Sequence, residues 1–211
     1  MPSPVIFGFP QSTYVRTVRL TCVKKGVAYD LVPMGFSSDG LADKHPFRRI
    51  PAFEHGDLAL FETSAICRYI DAAFDGPALV PDTPAELALM EQWVSVANAY
   101  VDPPVIRDIV MERVVKPMLN QEVDEAKCAA AAPRAREALD VLDRHLGVER
   151  FLVGDAPTLA DFFLLPMVFY FRQMPEGDAM LPGFRNLDRW YADMASRDSF
   201  AATQPPPPGE R

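Results

Sequence analysis

The feature that most limits what this chain can fold into is a change of hydrophobic rhythm near residue 80. Up to Phe74, short apolar runs of strand length alternate with helical repeats. Beyond Pro84 no run reads as a strand, and every apolar pattern recurs at helical spacing. Between them Asp75-Gly76-Pro77 to Pro84 is rich in structure breakers. A length of 211 residues suits one large domain or two small ones. The expected organisation is an α/β domain over 1–77, a linker over 78–83, an all-helical domain over 84–204 and a Pro-rich extended tail over 205–211.

Within the first part, Val5 to Phe9 reads as a buried strand closed by Pro10. A helix is expected from near Ser12, with Val15, Val18 and Cys22 on its inner face and Gly26 after its last turn. Ala28 to Met34 reads as a second strand, which makes the unit βαβ and the strand pair parallel. After an irregular stretch with one short helix near Gly40 to Lys44, Pro51 to Phe61 reads as a hairpin turning at His55-Gly56-Asp57. A helix follows with Ala65, Ile66, Tyr69, Ile70 and Ala73 on one face. The order βαβ, loop, ββα, with Pro51 opening the third strand, is the pattern of a thioredoxin-like domain.

In the second part, Leu87, Met90, Val94, Ala97 and Val101 form an apolar stripe, and Asp102-Pro103-Pro104 is expected to interrupt or kink that helix. Further helices are expected around Ala135 to Leu146, from Thr158, and over Leu187 to Met194. The formal net charge of −8 ranks nucleic acid and anionic lipid low as partners. Three cysteines at wide spacing, Cys22, Cys67 and Cys128, do not read as a disulfide framework and point to a reducing, cytoplasmic setting. No leader is expected from the first ten residues, no membrane span from the apolar run Phe162 to Phe171, and no metal site from the three scattered histidines.

Three local motifs carry chemistry. Pro10-Gln11-Ser12-Thr13-Tyr14-Val15-Arg16 places a hydroxyl beside the orphan N–H groups at a helix start, where capping is the commoner use. In His45-Pro46-Phe47-Arg48-Arg49-Ile50-Pro51, a trans Pro51 is merely structural, whereas a cis bond turns the Ile50 backbone outward to pair with an extended peptide. Leu60-Phe61-Glu62-Thr63-Ser64-Ala65-Ile66 ends a strand and opens a helix; Thr63 or Ser64 caps it, or its N-terminus receives a carboxylate while Glu62 meets an ammonium group.

In this order the motifs resemble the cytosolic glutathione S-transferase family, of a phi-like or related bacterial class. The resemblance spans most of residues 4 to 81 and resumes at Phe151 to Asp161, where Thr158-Leu-Ala-Asp161 resembles a helix-starting capping box with Asp in place of Glu or Gln. It implies a thioredoxin-like domain with a cis Pro51, followed by an all-helical bundle that forms the electrophile site. It implies Ser12 as the catalytic hydroxyl and Arg49, Ile50, Pro51, Glu62 and Thr63 as the glutathione-binding set, with glutathione as co-substrate and no metal.

The implied reaction is attack of the glutathione thiolate on small hydrophobic electrophiles, with glutathione-dependent peroxidase activity as a further use of the same thiol. The implied assembly is a homodimer. Against this stands a non-catalytic protein of the same fold that binds glutathione or hydrophobic ligands. Departures from the family pattern are visible: Arg48 stands where Gly is usual, Arg49 where Gln is common and Thr63 where Ser is usual, and the basic pair that meets the glycyl carboxylate is not recognisable. Tyr14 is the rival hydroxyl, and Lys44 and Arg16 are substitutes for the missing basic pair at the glycyl carboxylate, unless both are solvated surface charges.

Overall fold

The computed structural model describes residues 2–206, so residues 207–211 of the expected tail lie outside the described residues. Two compact units are present. One contains the residues up to Val80 together with those from Arg197 onward, and the other is Pro81–Ser196. Residues from Arg197 to 204, expected with the helical domain, therefore belong with the α/β unit.

The α/β unit runs β1 (Val5–Phe7), α1 (Thr13–Lys25), β2 (Asp30–Val32), α2 (Leu41–Lys44), β3 (Ala52–His55), β4 (Leu58–Phe61) and α3 (Thr63–Ala73). The sheet order is β2-β1-β3-β4. β1 pairs parallel with β2, while β1 with β3 and β3 with β4 are antiparallel. This is the thioredoxin-like arrangement expected from the sequence. The parallel pair exists because α1 carries the chain back across the sheet. Ser12 caps α1, and Gly26 ends it at φ 71°, where its N–H reaches the carbonyls of Cys22 and Val23.

α1 is buried nearly all round because α3 packs on it and so does the late helix α10 (Asp198–Ala202). Its buried Thr17 and Thr21 hydroxyls donate to the carbonyls of Thr13 and Thr17, one turn back, at 3.1 and 3.0 Å. On α3 the inner face is Thr63, Ile66, Cys67 and Ile70, whereas Ala65 and Ala73, expected inside, are exposed.

The helical unit begins with α4 (Pro84–Val96), capped by the Thr83 hydroxyl. It continues without a break into a π-helical segment, Ala97–Val115, that carries both Pro103 and Pro104. The expected interruption does not occur. Proline has no N–H, and in an α-helix its ring collides with the carbonyl four residues back. Pairing each N–H with the carbonyl five back, as Lys116 does with Met111, opens the turn enough to carry both rings. Then follow α5 (Lys116–Met118), α6 (Glu125–Leu146), α7 (Leu159–Phe171), α8 (Pro175–Met180), a 3-10 turn (Leu181–Gly183) and α9 (Arg185–Ala195). α6 buries Cys128, Ala131, Ala135, Ala138, Leu139, Leu142 and Leu146, one stripe at helical spacing.

The start of α7 is held by Asp161, which is fully buried. Its carboxylate accepts from the N–H groups of Leu152 (3.0 Å) and Thr158 (2.9 Å), the Thr158 hydroxyl (3.2 Å) and the Trp190 indole N–H (2.8 Å). Asp161 thus completes the capping box expected at Thr158 and ties α7 to α9. Replacing it with alanine strands three N–H donors in the core, each costing roughly 1–3 kcal/mol. We expect Asp161→Ala to lose about 3–5 kcal/mol of unfolding free energy in urea, and a loss below about 1 kcal/mol would show that the four bonds contribute little.

Candidate functional site

Strand register gathers the three motifs. Phe7, the last residue of β1, lies opposite Ala52, the first of β3, and Ala52 lies opposite Phe61, the last of β4. The turn after β1, the Ile50-Pro51 step before β3 and the Glu62-Thr63 step after β4 therefore leave the sheet at one end. Gly8 shows how close the first two are. A Cβ on Gly8 would sit 2.4 Å from Val15 Cγ2 of α1 and 3.5 Å from Ile50 Cβ, and its φ of 156° favours glycine independently.

At the first step, Ser12 has extended backbone angles and its hydroxyl oxygen accepts from the Val15 N–H at 3.4 Å. That contact is long, so the cap is weak. It also uses only a lone pair, and the O–H proton stays available to a second acceptor. Capping and chemistry are thus compatible uses of one oxygen. Tyr14 lies one turn element further in, within α1, and is half-buried.

At the second step the Ile50–Pro51 bond is cis. The Ile50 side chain is buried, while its N–H and C=O stand outside the strand ladder and have no partner among the described residues. At the third step Glu62 adopts φ 70° and ψ 118°, a left-handed φ that non-glycine residues seldom take. No side chain caps α3, so neither Thr63 nor Ser64 plays the capping role considered for them. Thr63 is instead the buried first residue of the helix. The leading N–H groups of α3 face a vacancy in side-chain acceptors, which suits an anion.

The basic candidates separate. Arg49 is exposed beside the Ile50 step. Lys44 is paired with Glu54 at 2.5 Å and lies 4.8 Å over the Phe7 ring. Arg16 is completely buried, so it is neither a solvated surface charge nor a group displayed at the sheet end.

His45 is a residue the sequence reading passed over. It is 2 % exposed, and its Nε2 lies 4.0 Å from a Glu62 carboxylate oxygen, while its Nδ1 accepts from the Phe47 N–H at 3.3 Å. Burial holds its imidazole below the ordinary value, Glu62 acts in the opposite sense, and Arg49 adds to the depression. His45 thus lies beside Glu62 without a hydrogen bond to it. The available signal was only its place one residue before Pro46. Cys22 and Cys67 are buried thiols, and burial pushes Cys67 up to about 12 and Cys22 higher still, which makes both poor nucleophiles. In the helical unit a cavity of about 280 Å³ is lined by Arg172, Asp178, Arg185 and Asp188, a charged lining unsuited to an apolar ligand. The apolar Trp93, Val101, Phe163, Met167 and Phe171 of the helical unit are core.

A mixed four-stranded sheet with a cis-proline opening β3, and with two helix N-termini at the same end, defines a thioredoxin-like domain. Residues 6–78 match the family described as glutathione S-transferase, N-terminal domain, and residues 120–193 match its C-terminal domain. The chain is 32 % identical over 218 residues to glutathione S-transferase 3 of Zea mays, covering 96 % of each. It is 35 % identical over 194 residues to glutathione S-transferase 1 of Triticum aestivum, covering 82 % of each. Among solved structures, the theta class glutathione S-transferase of Xanthomonas axonopodis pv. citri with glutathione bound superposes with a TM-score of 0.86 at 28 % identity, covering 96 % of this chain and 97 % of that one. The chain belongs to the glutathione S-transferase family.

Arg48, where the resemblance implies glycine, has a left-handed backbone with φ 51°. A side chain in that conformation costs roughly 1–2 kcal/mol, partly offset by the roughly 0.5–1 kcal/mol that glycine loses in chain entropy. We expect Arg48→Gly to raise unfolding stability by about 0.5–1 kcal/mol in urea titration. A drop would mean that the Arg48 side chain itself stabilises the loop.

Proposed function

We propose that this protein is a glutathione transferase that ionises the glutathione thiol and directs it at small hydrophobic electrophiles. A free thiol has a pKa near 8.5, so only a few per cent is thiolate at neutral pH. Lowering that value by about two units takes roughly 2.7 kcal/mol. A charge-assisted hydrogen bond from the Ser12 hydroxyl, worth roughly 1.5–3 kcal/mol, together with the α1 dipole, is of the right size. The single observation that carries this reading is the Ser12 oxygen, held at the helix N-terminus by one long 3.4 Å bond that leaves its proton free.

In this reading the unpaired Ile50 N–H and C=O hold the cysteinyl backbone as a short added strand, with Pro51 fixing their direction. The open N-terminus of α3, with Thr63, receives the γ-glutamyl carboxylate, and Glu62 meets its ammonium group. Arg49 reaches the peptide from the loop. The thiolate then displaces a leaving group on carbon, or attacks a peroxide oxygen, breaking the O–O bond and releasing an alcohol, and a second glutathione converts the resulting sulfenic acid to the disulfide and water. Neither step calls for a metal or a protein thiol. The three unpaired, buried cysteines suit a cytoplasmic setting. Two exposed aromatic rings, Phe47 at 70 % and Phe61 at 39 %, lie 6.4 Å apart and suit burial by a second copy in a homodimer.

Turnover of glutathione with chlorodinitrobenzene tests the mechanism. Ser12→Ala is expected to lower kcat/KM at neutral pH by about 10²-fold and to raise the apparent pKa of bound glutathione by about two units. Unchanged turnover would remove Ser12 from the chemistry, and absence of any calorimetric heat with glutathione would leave a carrier of other ligands. Light scattering is expected to give twice the chain mass at micromolar concentration, and Phe47→Ser to shift it toward the monomer; a wild-type monomer would refute the dimer.

A further inference from the structure

Arg16 is the largest charged group in the core of the α/β unit, at 0 % exposure. Its partners come from the far end of the chain. Nε donates to the Thr203 hydroxyl oxygen at 3.5 Å, 187 positions away, and Nη2 donates to the Phe200 carbonyl at 3.3 Å. The guanidinium also lies 4.5 Å over the Phe200 ring. Arg19, one turn on, donates to the Thr203 carbonyl at 3.2 Å and to the Tyr29 hydroxyl at 3.0 Å. Thr203 is itself fully buried, and its hydroxyl donates to the Ser199 carbonyl at 2.8 Å. α10 and Thr203 are thus a fixed seat for two arginines of α1.

The same residue controls the helix start through its backbone. The Arg16 N–H donates to the Ser12 carbonyl at 2.9 Å, the first bond of α1. The Ser12 hydroxyl has only the 3.4 Å bond from Val15, and the Ser12 N–H donates to Phe9 at 3.1 Å. Helix side chains lean toward the N-terminus, and Arg16 stands one turn after Ser12 on α1. A buried guanidinium cannot slip to another position without losing its desolvated partners.

We propose that Arg16 is a positioning residue, which anchors the first turn of α1 on Phe200 and Thr203 and thereby fixes the orientation of the Ser12 hydroxyl toward the glutathione sulfur. This rests on the assignment of Ser12 made above. It gives the segment after Arg197 a part in the active site without touching substrate. Lysine keeps the charge but not the two-armed geometry that spans the Phe200 carbonyl and the Thr203 hydroxyl.

The test is a titration of the thiolate ultraviolet absorbance of enzyme-bound glutathione, with the pH profile of kcat/KM, in the full chain. The variants are Ser12→Ala, Arg16→Met, Arg16→Lys, Thr203→Val and the double variant Ser12→Ala with Arg16→Met. Arg16→Met and Arg16→Lys are each expected to raise the apparent thiol pKa by about one unit, which lowers kcat/KM at neutral pH up to about tenfold. Thr203→Val leaves Arg16 in place and is expected to give a smaller rise in the same direction. In the Ser12→Ala background, Arg16→Met is expected to add nothing, because its effect passes through the hydroxyl. A thiol pKa unchanged in both Arg16→Lys and Thr203→Val, or full additivity with Ser12→Ala, overturns the proposal. A thiol pKa unchanged in Ser12→Ala alone overturns the Ser12 assignment instead, so the two failures are told apart.

Discussion

The gathering of the three motifs at one end of the sheet follows from one parallel strand pair. β1 and β2 run the same way, so the chain must leave the sheet at the end of β1 and cross back through α1. That places the start of α1 just beyond Phe7. The antiparallel β3 then begins where β1 ends, and β4 ends where β3 begins. Two helix N-termini and one cis-proline step thus share an end of the sheet by topology alone. A one-residue slip of β3 would turn Phe53 out of the core and carry Ile50 away from Gly8.

Much of this was legible in the chain itself. The alternation of strand-length runs and helical repeats before residue 80, and its absence afterwards, gave the fold class. Ser12, Gly26 and Gly56 marked boundaries because their conformational needs are local. What escaped is non-local. The π-helical passage through Pro103 and Pro104 arises because the widened turn stays packed against α6 and α7, which no single-segment pattern reveals. The burial of Arg16 could not be read either, since its partners lie nearly the whole chain away. His45 looked isolated because its neighbour Glu62 is reached only through the fold.

The site also shows how a family pattern survives altered residues. Arg48 stands where the resemblance implies glycine and has a left-handed φ of 51°. The backbone geometry is imposed by its surroundings, with the His45 ring packed near Phe47 and Phe61 on one side and the buried Ile50 on the other. Glu62 likewise holds an uncommon φ directly before an uncapped helix. Such conformations persist where neighbouring contacts over-determine them, and they cluster where a ligand is to be met.

The return of residues from Arg197 onto α1 bears on how the polypeptide is made. Translation delivers the α/β unit first, and N-terminal units commonly fold as they emerge. Here the seat for Arg16 and Arg19 leaves the ribosome only after the whole helical unit has been synthesised. The nascent α/β unit must therefore wait with a buried-type arginine unsatisfied, so its maturation is tied to late elongation rather than to its own completion.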